Sequence, residues 1–235
     1  MTEARTGVDR LAARHGLDDS AAGRLDALLE LLAGDSAAPS SVRAPDEALD
    51  THLADSLVAL EVESVRSARA IGDLGAGAGF PGLPLAVALP HARVWLVEST
   101  GRKCDYLIRA RAAAEAPNAE VACTRVEEWE DGRGACDLVV ARALAPLAVI
   151  AEYAAPLLAP GGTLVAWKGR RNRDEERRAA DAAAELGLAP AEVLAVHPYR
   201  AARDRHLHLY SKVNPTPERF PRRPGAARKR PLGAD

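Results

Sequence analysis

The sequence predicts an α/β fold in which a mostly parallel, doubly wound sheet follows a group of helices. From residue 69 onward, short apolar runs alternate with amphipathic stretches, the pattern of a parallel sheet that is covered on both faces. Before residue 61, leucines recur at helical spacing. A glycine-rich segment, DLGAGAGFPG, follows the first apolar run, at the place where sheets of this kind bind ligands.

Composition indicates a globular protein. The chain has 235 residues, of which 48% are hydrophobic and 27% charged, as in ordinary folded proteins. No apolar run reaches the roughly 18 residues that span a bilayer, and the segment MTEARTGVDRLAARHG lacks the apolar core of a signal peptide. Cys104, Cys123 and Cys136 are widely spaced and fit neither a zinc site nor a disulfide framework. We therefore expect a protein of the reducing cytoplasm that does not associate with membranes.

Charge is distributed unevenly along the chain. The net charge is −2, but residues 1–70 carry 13 acidic side chains against 7 Lys/Arg, and residues 200–235 carry 10 Lys/Arg against 3 acidic ones. A basic end on a nearly neutral protein indicates either a polyanionic partner or a solvated tail.

Two or three helices are predicted before the first strand. Residues 20–33 place leucines on one helical face, and residues 46–60 repeat the pattern after Pro45, a favourable start for a helix. Seven strands then follow, at 69–74, 93–98, 119–124, 136–141, 163–167, 191–197 and 205–212. Helices are predicted at 82–89, 101–115, 146–158 and 172–186.

The chain thus divides into a helical cap (1–66), a sheet domain (67–213) and a basic tail (214–235). The tail contains five prolines and six Lys/Arg, so we expect it to be extended and to contribute nothing to the core.

Two acidic residues decide what the glycine loop is expected to bind. The loop can be read as GxGxG from Gly75 or as the dinucleotide pattern GxGxxG from Gly77, and Glu98 can accept hydrogen bonds from a ribose diol in either reading. Asp73 suits a cofactor whose near end carries an ammonium and would repel a pyrophosphate. Pro81 removes a backbone donor that a phosphate would use. The loop therefore favours S-adenosylmethionine over NAD; a strand-to-helix turn without a ligand is the remaining alternative.

Three further segments end at the same edge of the predicted sheet. In TRVEEW, the backbone of Val126 and Glu127 is placed to bracket an adenine. VVARAL places Arg142 after a strand, where its guanidinium is expected to face the cofactor cleft because that group is seldom buried unpaired. LVAWKG ends the fifth strand on Trp167 and Lys168. The predicted fold class is therefore a class I S-adenosylmethionine-dependent methyltransferase: a Rossmann-like, seven-stranded, mostly parallel sheet with N-terminal helices.

These motifs together resemble the RsmG (GidB) family over residues 45–232. DLGAGAGFPGLPLAVALP, RVEEW, VVARALAPL, WKG and RHLHLYSKVNPTPERFPRRPGAARKRPL follow one another as they do in that family. The resemblance implies a bacterial enzyme that uses S-adenosylmethionine to methylate N7 of one guanine in 16S rRNA. It also implies cofactor contacts at Gly75, Phe80, Val126, Glu127 and Arg142, with Glu98 where the family usually has aspartate. With the residues argued above, the predicted cofactor contacts are Asp73, Gly75, Gly77, Phe80, Glu98, Val126, Glu127 and Arg142.

One segment departs from the family pattern. Where family members carry an Asn-Leu-Thr run, this chain reads LLAGDSAAPSSVRAPDE, although Pro45, Glu47, His52 and the ADSL at 54–57 fit. We expect contacts made by that amide and hydroxyl to be missing here.

The expected chemistry needs few catalytic residues. N7 of guanine carries a lone pair and no proton, so methyl transfer to it depends on positioning rather than on a general base. ARALAP follows the fourth strand, in place of the Asn/Asp-Pro-Pro-aromatic motif for exocyclic amines or a cysteine for attack on pyrimidine C6. Arg142 and Lys168 are expected to frame the cofactor and to guide an RNA phosphate or the guanine O6.

The basic residues define the expected RNA surface. They are Lys168, Arg205, Arg222, Arg223, Lys229 and Arg230. Phe80, Trp129 and Trp167 are candidates for base stacking, although each also suits a core position. His206 and His208 share one strand face without a third ligand, so no metal is expected. The expected partner is 16S rRNA or a precursor of the small ribosomal subunit, and the chain is expected to act as a monomer.

Two other functions stay open at this level. An NAD(P)-dependent oxidoreductase would share the glycine loop and Glu98, but it explains neither Asp73 nor the basic tail. An RNA-binding or ribosome-binding module with a degenerate cofactor site is supported by the altered segment at 34–43.

Overall fold

A single seven-stranded sheet forms the centre of the protein. The computed structural model describes residues 3–233, with side chains for residues 5–233. Residues 1–2 of the predicted cap and 234–235 of the predicted tail lie outside the described residues. The strand order is β3-β2-β1-β4-β5-β7-β6. The strands are β1 (Ala70–Leu74), β2 (Arg93–Glu98), β3 (Ala119–Cys123), β4 (Cys136–Arg142), β5 (Leu158–Lys168), β6 (Leu188–Ala195) and β7 (His206–Lys212).

The pairing of the strands places the ligand site. β1 pairs in parallel with both β2 and β4, and β7 runs antiparallel to β5 and β6. The direction in which the chain adds strands reverses between β1 and β4, and such sheets bind ligands in the crevice at the carboxyl ends of those strands. The predicted fold class is confirmed.

Helices cover both faces of the sheet. They are α1 (Glu3–Arg14), α2 (Asp19–Gly34), α3 (Pro45–Ala48), α4 (Asp55–Leu57), α5 (Glu63–Arg66), α6 (Gly82–Ala88), α7 (Gly101–Ala113), α8 (Leu147–Ala154), α9 (Arg173–Glu185) and α10 (Ala226–Lys229). The helices before β1 share one apolar core with α6, α7 and one sheet face, while α8, α9 and α10 pack on the other face. No described helix is long and apolar enough to cross a membrane.

The helix predicted over 46–60 is interrupted. A π-helical turn, Leu49–Ala54, separates α3 from α4, and a 3-10 turn, Val58–Glu61, follows α4. Residues 53–60 are buried on every side, so core packing rather than a one-sided leucine stripe sets the backbone here. π-Helical turns occur frequently at functional sites, and this one borders the crevice described below.

Two strands begin earlier than predicted. β5 and β6 start at Leu158 and Leu188, because Pro160 and Pro190 do not end these strands. Proline is tolerated where the ladder of hydrogen bonds is irregular, and the register shifts next to both of these starts.

The interpretation of the cysteines is wrong for one pair. Cys104 of α7 and Cys123 of β3 form a disulfide with a Cα–Cα distance of 5.8 Å, whereas Cys136 is free and buried. Nineteen residues separate the pair in sequence, but the helix after β2 folds back beside β3. The widely spaced positions therefore meet.

The expectation that the tail adds nothing to the core is also wrong. Phe220 and Ala227 are buried in the core under α8. Arg222 donates from Nε to Oε1 of Glu152 at 2.7 Å, and the Glu152 side chain is only 1% exposed. Proline content predicted an extended path, but Phe220, Arg222 and Ala227 anchor this path to the sheet domain within eight residues.

Candidate active site

Two adjoining cavities lie at the carboxyl edge of the sheet. The first has a volume of about 350 Å³ and is lined by the ends of β1 to β4 together with Gly225 and Arg228 of the tail. The second, of about 390 Å³, lies over β4 and β5. Ala143, directly after β4, lines both cavities, so the two are neighbours at this edge of the sheet.

The glycine loop presents bare backbone to the first cavity. Gly75 has a φ of 68°, a conformation that costs glycine little. A Cβ there would lie 2.6 Å from Cδ1 of Leu144. The Gly75 N–H donates to the Val97 carbonyl at 2.8 Å, which ties the loop to the end of β2. Gly75 therefore has no room for a side chain, because Leu144 packs directly against it.

Asp73 does not take the position that the sequence analysis assigned to it. Its side chain is 1% exposed, and Oδ2 accepts a hydrogen bond from the Gly82 N–H at 2.9 Å. It lines neither cavity, because it points behind the loop toward the start of α6. Burial raises the pKa of Asp73 to about 7. The proposed pairing with a cofactor ammonium is thus replaced by a role in holding the loop.

Glu98 lies on the wall of the first cavity. Its Oε1 accepts from the N–H groups of Ser99 and Thr100 at 2.9 Å, and its Oε2 accepts from the Gly77 N–H at 3.2 Å. Lys103 Nζ is 3.8 Å from Oε2. Each carboxylate oxygen can accept more than one hydrogen bond. Glu98 is therefore fixed in place and still able to accept from a hydroxyl.

The opposite wall is formed by Val126 and Glu127, which begin a 3-10 turn after β3. The first N–H groups of a helical turn have no partner inside it, so these groups are available to a ligand in the cavity. Oε1 of Glu127 accepts from the N–H of Gly225 at 2.8 Å, and Arg228 donates to the Leu144 carbonyl at 3.0 Å. The tail therefore closes this wall, a contact that the sequence analysis missed because it treated the tail as extended and outside the core.

The second cavity gathers cations around one carboxylate. Arg142 Nη1 donates to the Thr51 carbonyl and to Oδ2 of Asp55, both at 2.8 Å. Lys168 and Arg205 line the same cavity, and Nζ of Lys168 is 2.7 Å from Oε1 of Glu175. Arg142 was predicted as a cofactor contact, but it lines the second cavity rather than the first.

His52 and Phe80 pack behind Arg142. Their rings stack with centroids 4.8 Å apart, and Nδ1 of His52 is 3.3 Å from Nη2 of Arg142. Burial, together with the charge of Arg142, lowers the pKa of His52 to about 4. The imidazole is therefore neutral at pH 7. Phe80 is buried and lines neither cavity.

The site residues that sequence reasoning missed are Thr51, His52 and Asp55. They come from the π-helical turn and α4, more than 80 residues before Arg142. His52 and Asp55 are three residues apart, a spacing that places two side chains on one helical face. That polar pair, on either side of the buried Leu53 and Ala54, was the available signal.

The remaining predicted residues divide into exposed and internal groups. Arg223, Lys229 and Arg230 are exposed, whereas Arg222 is held in its ion pair with Glu152 and is not free for RNA. Trp129 is buried edge-on against Trp95, and Trp167 Nε1 donates to the Asp55 carbonyl at 2.7 Å. Trp129 is thus a core residue.

The two histidines of β7 contact the protein's own backbone and core. Nδ1 of His206 lies 2.9 Å from the Gly169 carbonyl oxygen, and His208 is buried. Over residues 3–233, no group of three or more His, Cys, Asp or Glu side chains is arranged to hold a metal ion.

The model of one protein family, described as rRNA small subunit methyltransferase G (GidB), matches residues 25–207. The chain belongs to this family.

Relatives in the GidB family resemble most of the chain. Proteins called ribosomal RNA small subunit methyltransferase G from Rubrobacter xylanophilus and Pelotomaculum thermopropionicum are each 40% identical to it. The first match covers 81% of this chain and 75% of the relative, and the second covers 77% of both. The resemblance noted in the sequence and the prediction of an rRNA methyltransferase are confirmed.

Solved structures agree with this GidB-family fold. A mutant 16S rRNA (adenine(1408)-N(1))-methyltransferase from Catenulisporales acidiphilia superposes with a TM-score of 0.53 at 20% identity, over 66% of this chain and 90% of that one. A predicted O-methyltransferase from Agrobacterium tumefaciens superposes with a TM-score of 0.53 at 25% identity, over 69% and 80%. The oxidoreductase alternative is not favoured.

Proposed function

We propose that this protein transfers a methyl group from S-adenosylmethionine to N7 of a specific guanine in bacterial 16S rRNA. The observation that carries the proposal is the pair of cavities that meet at Ala143. One cavity suits a nucleoside cofactor, and the other offers cations and a carboxylate to a base. Membership of the GidB family supplies the substrate class.

The residues of the first cavity fit S-adenosylmethionine. Glu98 is placed to accept from the ribose hydroxyls, and the N–H groups of Val126 and Glu127 are placed to contact the adenine ring. Gly75 lines the same cavity, and its backbone is the proposed contact of the methionine end. When bound, this cofactor supplies an electrophilic methyl group on a sulfonium sulfur.

The chain's own contribution to the reaction is positioning. N7 of guanine carries no proton, so the reaction needs no general base. His52, which is neutral at pH 7, lies behind Arg142. Arg142 is held by Thr51 and Asp55, and it presents a fixed guanidinium to a base that enters the second cavity. Fixing both reactants in line can supply several kcal/mol of the barrier reduction, of the order of 7 or more in favourable cases.

The proposed RNA surface surrounds the second cavity and continues onto the tail. It comprises Lys168, Arg205, Arg223, Lys229 and Arg230; Arg222 is removed from the set for the reason given above. Either 16S rRNA or a precursor of the small subunit is the proposed partner, and the proposed acting form is a monomer. The division of the chain into cap, sheet domain and tail at 1–66, 67–213 and 214–235 is retained as part of this proposal.

A cytoplasmic location belongs to the same proposal, since rRNA is the substrate. Disulfides are rare in that compartment. A cytoplasmic location therefore does not account for the Cys104–Cys123 bond.

The proposed function is tested with rRNA from cells that lack the protein. Mass spectrometry of 16S rRNA fragments should show one N7-methylguanine missing. The purified protein with S-adenosylmethionine should restore it on the 16S rRNA or on the small-subunit precursors of those cells. Calorimetry should show binding of S-adenosylhomocysteine and none of NAD. Restoration of a methyl group on another atom, or no restoration at all, contradicts the proposal.

Arg142→Ala tests the assignment of the second cavity. Loss of one good base contact should lower kcat/KM for the RNA roughly 10- to 100-fold, with a smaller effect on cofactor affinity, because Arg142 lines only the second cavity. Arg10→Ala, on the exposed side of α1, is the control. An Arg142→Ala enzyme with turnover and cofactor affinity both within about twofold of wild type rules out this role.

A further inference from the structure

One buried carboxylate oxygen in the second cavity has no hydrogen-bond donor. Asp55 is 6% exposed, and its Oδ1 makes no hydrogen bond within the described part of the chain. Nε of Arg205 is 3.5 Å away, close enough for attraction but too distant for a hydrogen bond of ordinary length. A buried acceptor without a donor costs free energy. A ligand in the cavity that donates to Oδ1 of Asp55 would remove this cost.

The rest of Asp55 is held firmly. Its Oδ2 accepts from Arg142 at 2.8 Å, and its carbonyl oxygen accepts from Nε1 of Trp167 at 2.7 Å. The side chain is therefore fixed at both ends, and Oδ1 cannot turn to find a donor without breaking the ion pair with Arg142. A donor group that enters the cavity can satisfy it.

Guanine carries the matching pattern of donors and acceptors. Around its edge, the acceptors N7 and O6 are followed by the donors N1–H and N2–H. The protein offers the complementary order, because the Arg142 guanidinium lies directly beside the Asp55 carboxylate. With Arg142 beside O6 and the Asp55 carboxylate beside the donor edge, both side chains have a hydrogen-bond partner on the base.

We propose that Oδ1 of Asp55 accepts a hydrogen bond from the N1–H or N2–H donor edge of the target guanine and so selects guanine over adenine. The proposal rests on the proposed function, since it concerns the base that enters the second cavity. Adenine presents a lone pair at N1 in place of a proton, and this lone pair would face the carboxylate oxygen. Asp55 is thus a specificity residue, distinct from the groups that hold the cofactor.

The test measures coupling between Asp55 and the base. Small subunits are reconstituted with ligated 16S rRNA that carries guanine, inosine or 2-aminopurine at the target position. Inosine lacks the N2 amine, and 2-aminopurine lacks the N1 proton. The loss of O6 in 2-aminopurine affects both enzymes alike, so it cancels from the comparison. The kcat/KM for each RNA is measured with the wild-type enzyme and with Asp55→Asn.

For the wild-type enzyme we expect at least one analogue to react roughly 10- to 100-fold more slowly than guanine. In Asp55→Asn, the amide oxygen is expected to stay on Arg142 and the amide NH2 to face the base. Guanine should then lose roughly 10- to 100-fold in kcat/KM, and the penalty for the same analogue should shrink at least about tenfold.

Controls separate recognition from folding. Asp46→Asn makes the same change at an exposed position of α3 and should leave all three rates as in the wild type. The melting temperature and the affinity for S-adenosylhomocysteine check that Asp55→Asn is folded. A purely structural role would lower all three rates by one common factor, and that outcome overturns the proposal.

The wild-type rates alone also decide the question. If Asp55→Asn does not fold, equal rates for guanine and both analogues with the wild-type enzyme would overturn the proposal, whereas a penalty for inosine, which keeps O6, supports it. If wild type leaves the guanine RNA unmethylated at N7, the proposed function itself has failed. Methylation of guanine without coupling means that only the role of Asp55 is wrong.

Discussion

Burial shifts the pKa values of Asp73 and His52 in opposite directions. The pKa of Asp73 rises from 3.8 to about 7, and that of His52 falls from 6.5 to about 4. The contribution of Asp73 to stability is present at low pH and is lost as the pH rises toward 7, since its native state holds the proton longer than the unfolded state. The contribution of His52 is present above pH 6.5 and is lost as the pH falls toward 4. Between about pH 4 and pH 7, a rise in pH therefore removes the contribution of Asp73 and adds that of His52.

The first prediction concerns Asp73→Asn. An amide oxygen can still accept from the Gly82 N–H, so the loop should keep its shape, while the raised pKa disappears. The free energy of unfolding of this variant, relative to wild type, should rise as the pH increases from about 4 to about 7. Urea unfolding at four pH values across this range measures it.

Asp73→Ala provides the matched comparison, because it removes the acceptor as well as the titration. It should cost about 1 to 3 kcal/mol more than Asp73→Asn, through the unsatisfied Gly82 N–H. A difference between Asp73→Asn and wild type that is independent of pH would contradict the first prediction.

At the scale of elements, the strands were the most predictable part. β1 to β4 lie within one or two residues of the predicted bounds, because a fully buried parallel strand reads as a continuous apolar run. The backbone around residues 53–60 was not predictable in the same way, since burial on all sides removes the one-sided pattern. The second cavity escaped prediction for a related reason. Its wall pairs the π-helical turn with β4, and only the tertiary fold brings those two segments together.

The tail shows what sequence reasoning lacks when composition is its only guide. Arg222 and Arg223 are neighbours in a basic, proline-rich segment, and nothing in the composition distinguishes them. The structure does, because one pairs with the buried Glu152 and the other is exposed. The tail also contacts the first cavity through Gly225 and Arg228. Deleting residues 214–235 is thus expected to disturb both the fold and cofactor binding.

The second prediction concerns Arg222→Ala. This variant leaves the Glu152 carboxylate buried without its partner, a change that typically costs 3 to 5 kcal/mol, so a loss of about 3 kcal/mol in the free energy of unfolding is expected. Denaturant unfolding measures the loss. Arg223→Ala, at the next residue, should cost less than about 0.5 kcal/mol, and equal losses in the two variants would refute the assignment of Arg222 to the fold.

At the scale of the whole molecule, the direction of the strands determines at which edge of the sheet each basic side chain lies. The proposed RNA surface lies at and beyond the carboxyl ends of the strands, where Lys168 and Arg205 line the second cavity. Arg66 and Arg69 precede β1, and Arg93 is the first residue of β2, so all three lie at the opposite edge. A net charge of −2 therefore conceals one edge suited to a polyanion, and the direction of the strands determines which edge this is.

The last prediction uses this polarity to locate the RNA backbone. Replacing Arg223, Lys229 and Arg230 by alanine should weaken RNA binding and lower the slope of log K against log salt by about 2, since each phosphate contact contributes roughly 0.7 to 0.9. The three residues are exposed, so the fold and the affinity for S-adenosylhomocysteine should stay as in wild type. The matched variant replaces Arg66, Arg69 and Arg93, which removes the same charge from the other edge of the sheet. Filter binding at four salt concentrations distinguishes the two variants: a position-specific contact lowers the slope only in the first, whereas a general charge effect lowers both slopes equally and would exclude the tail as an RNA-binding element.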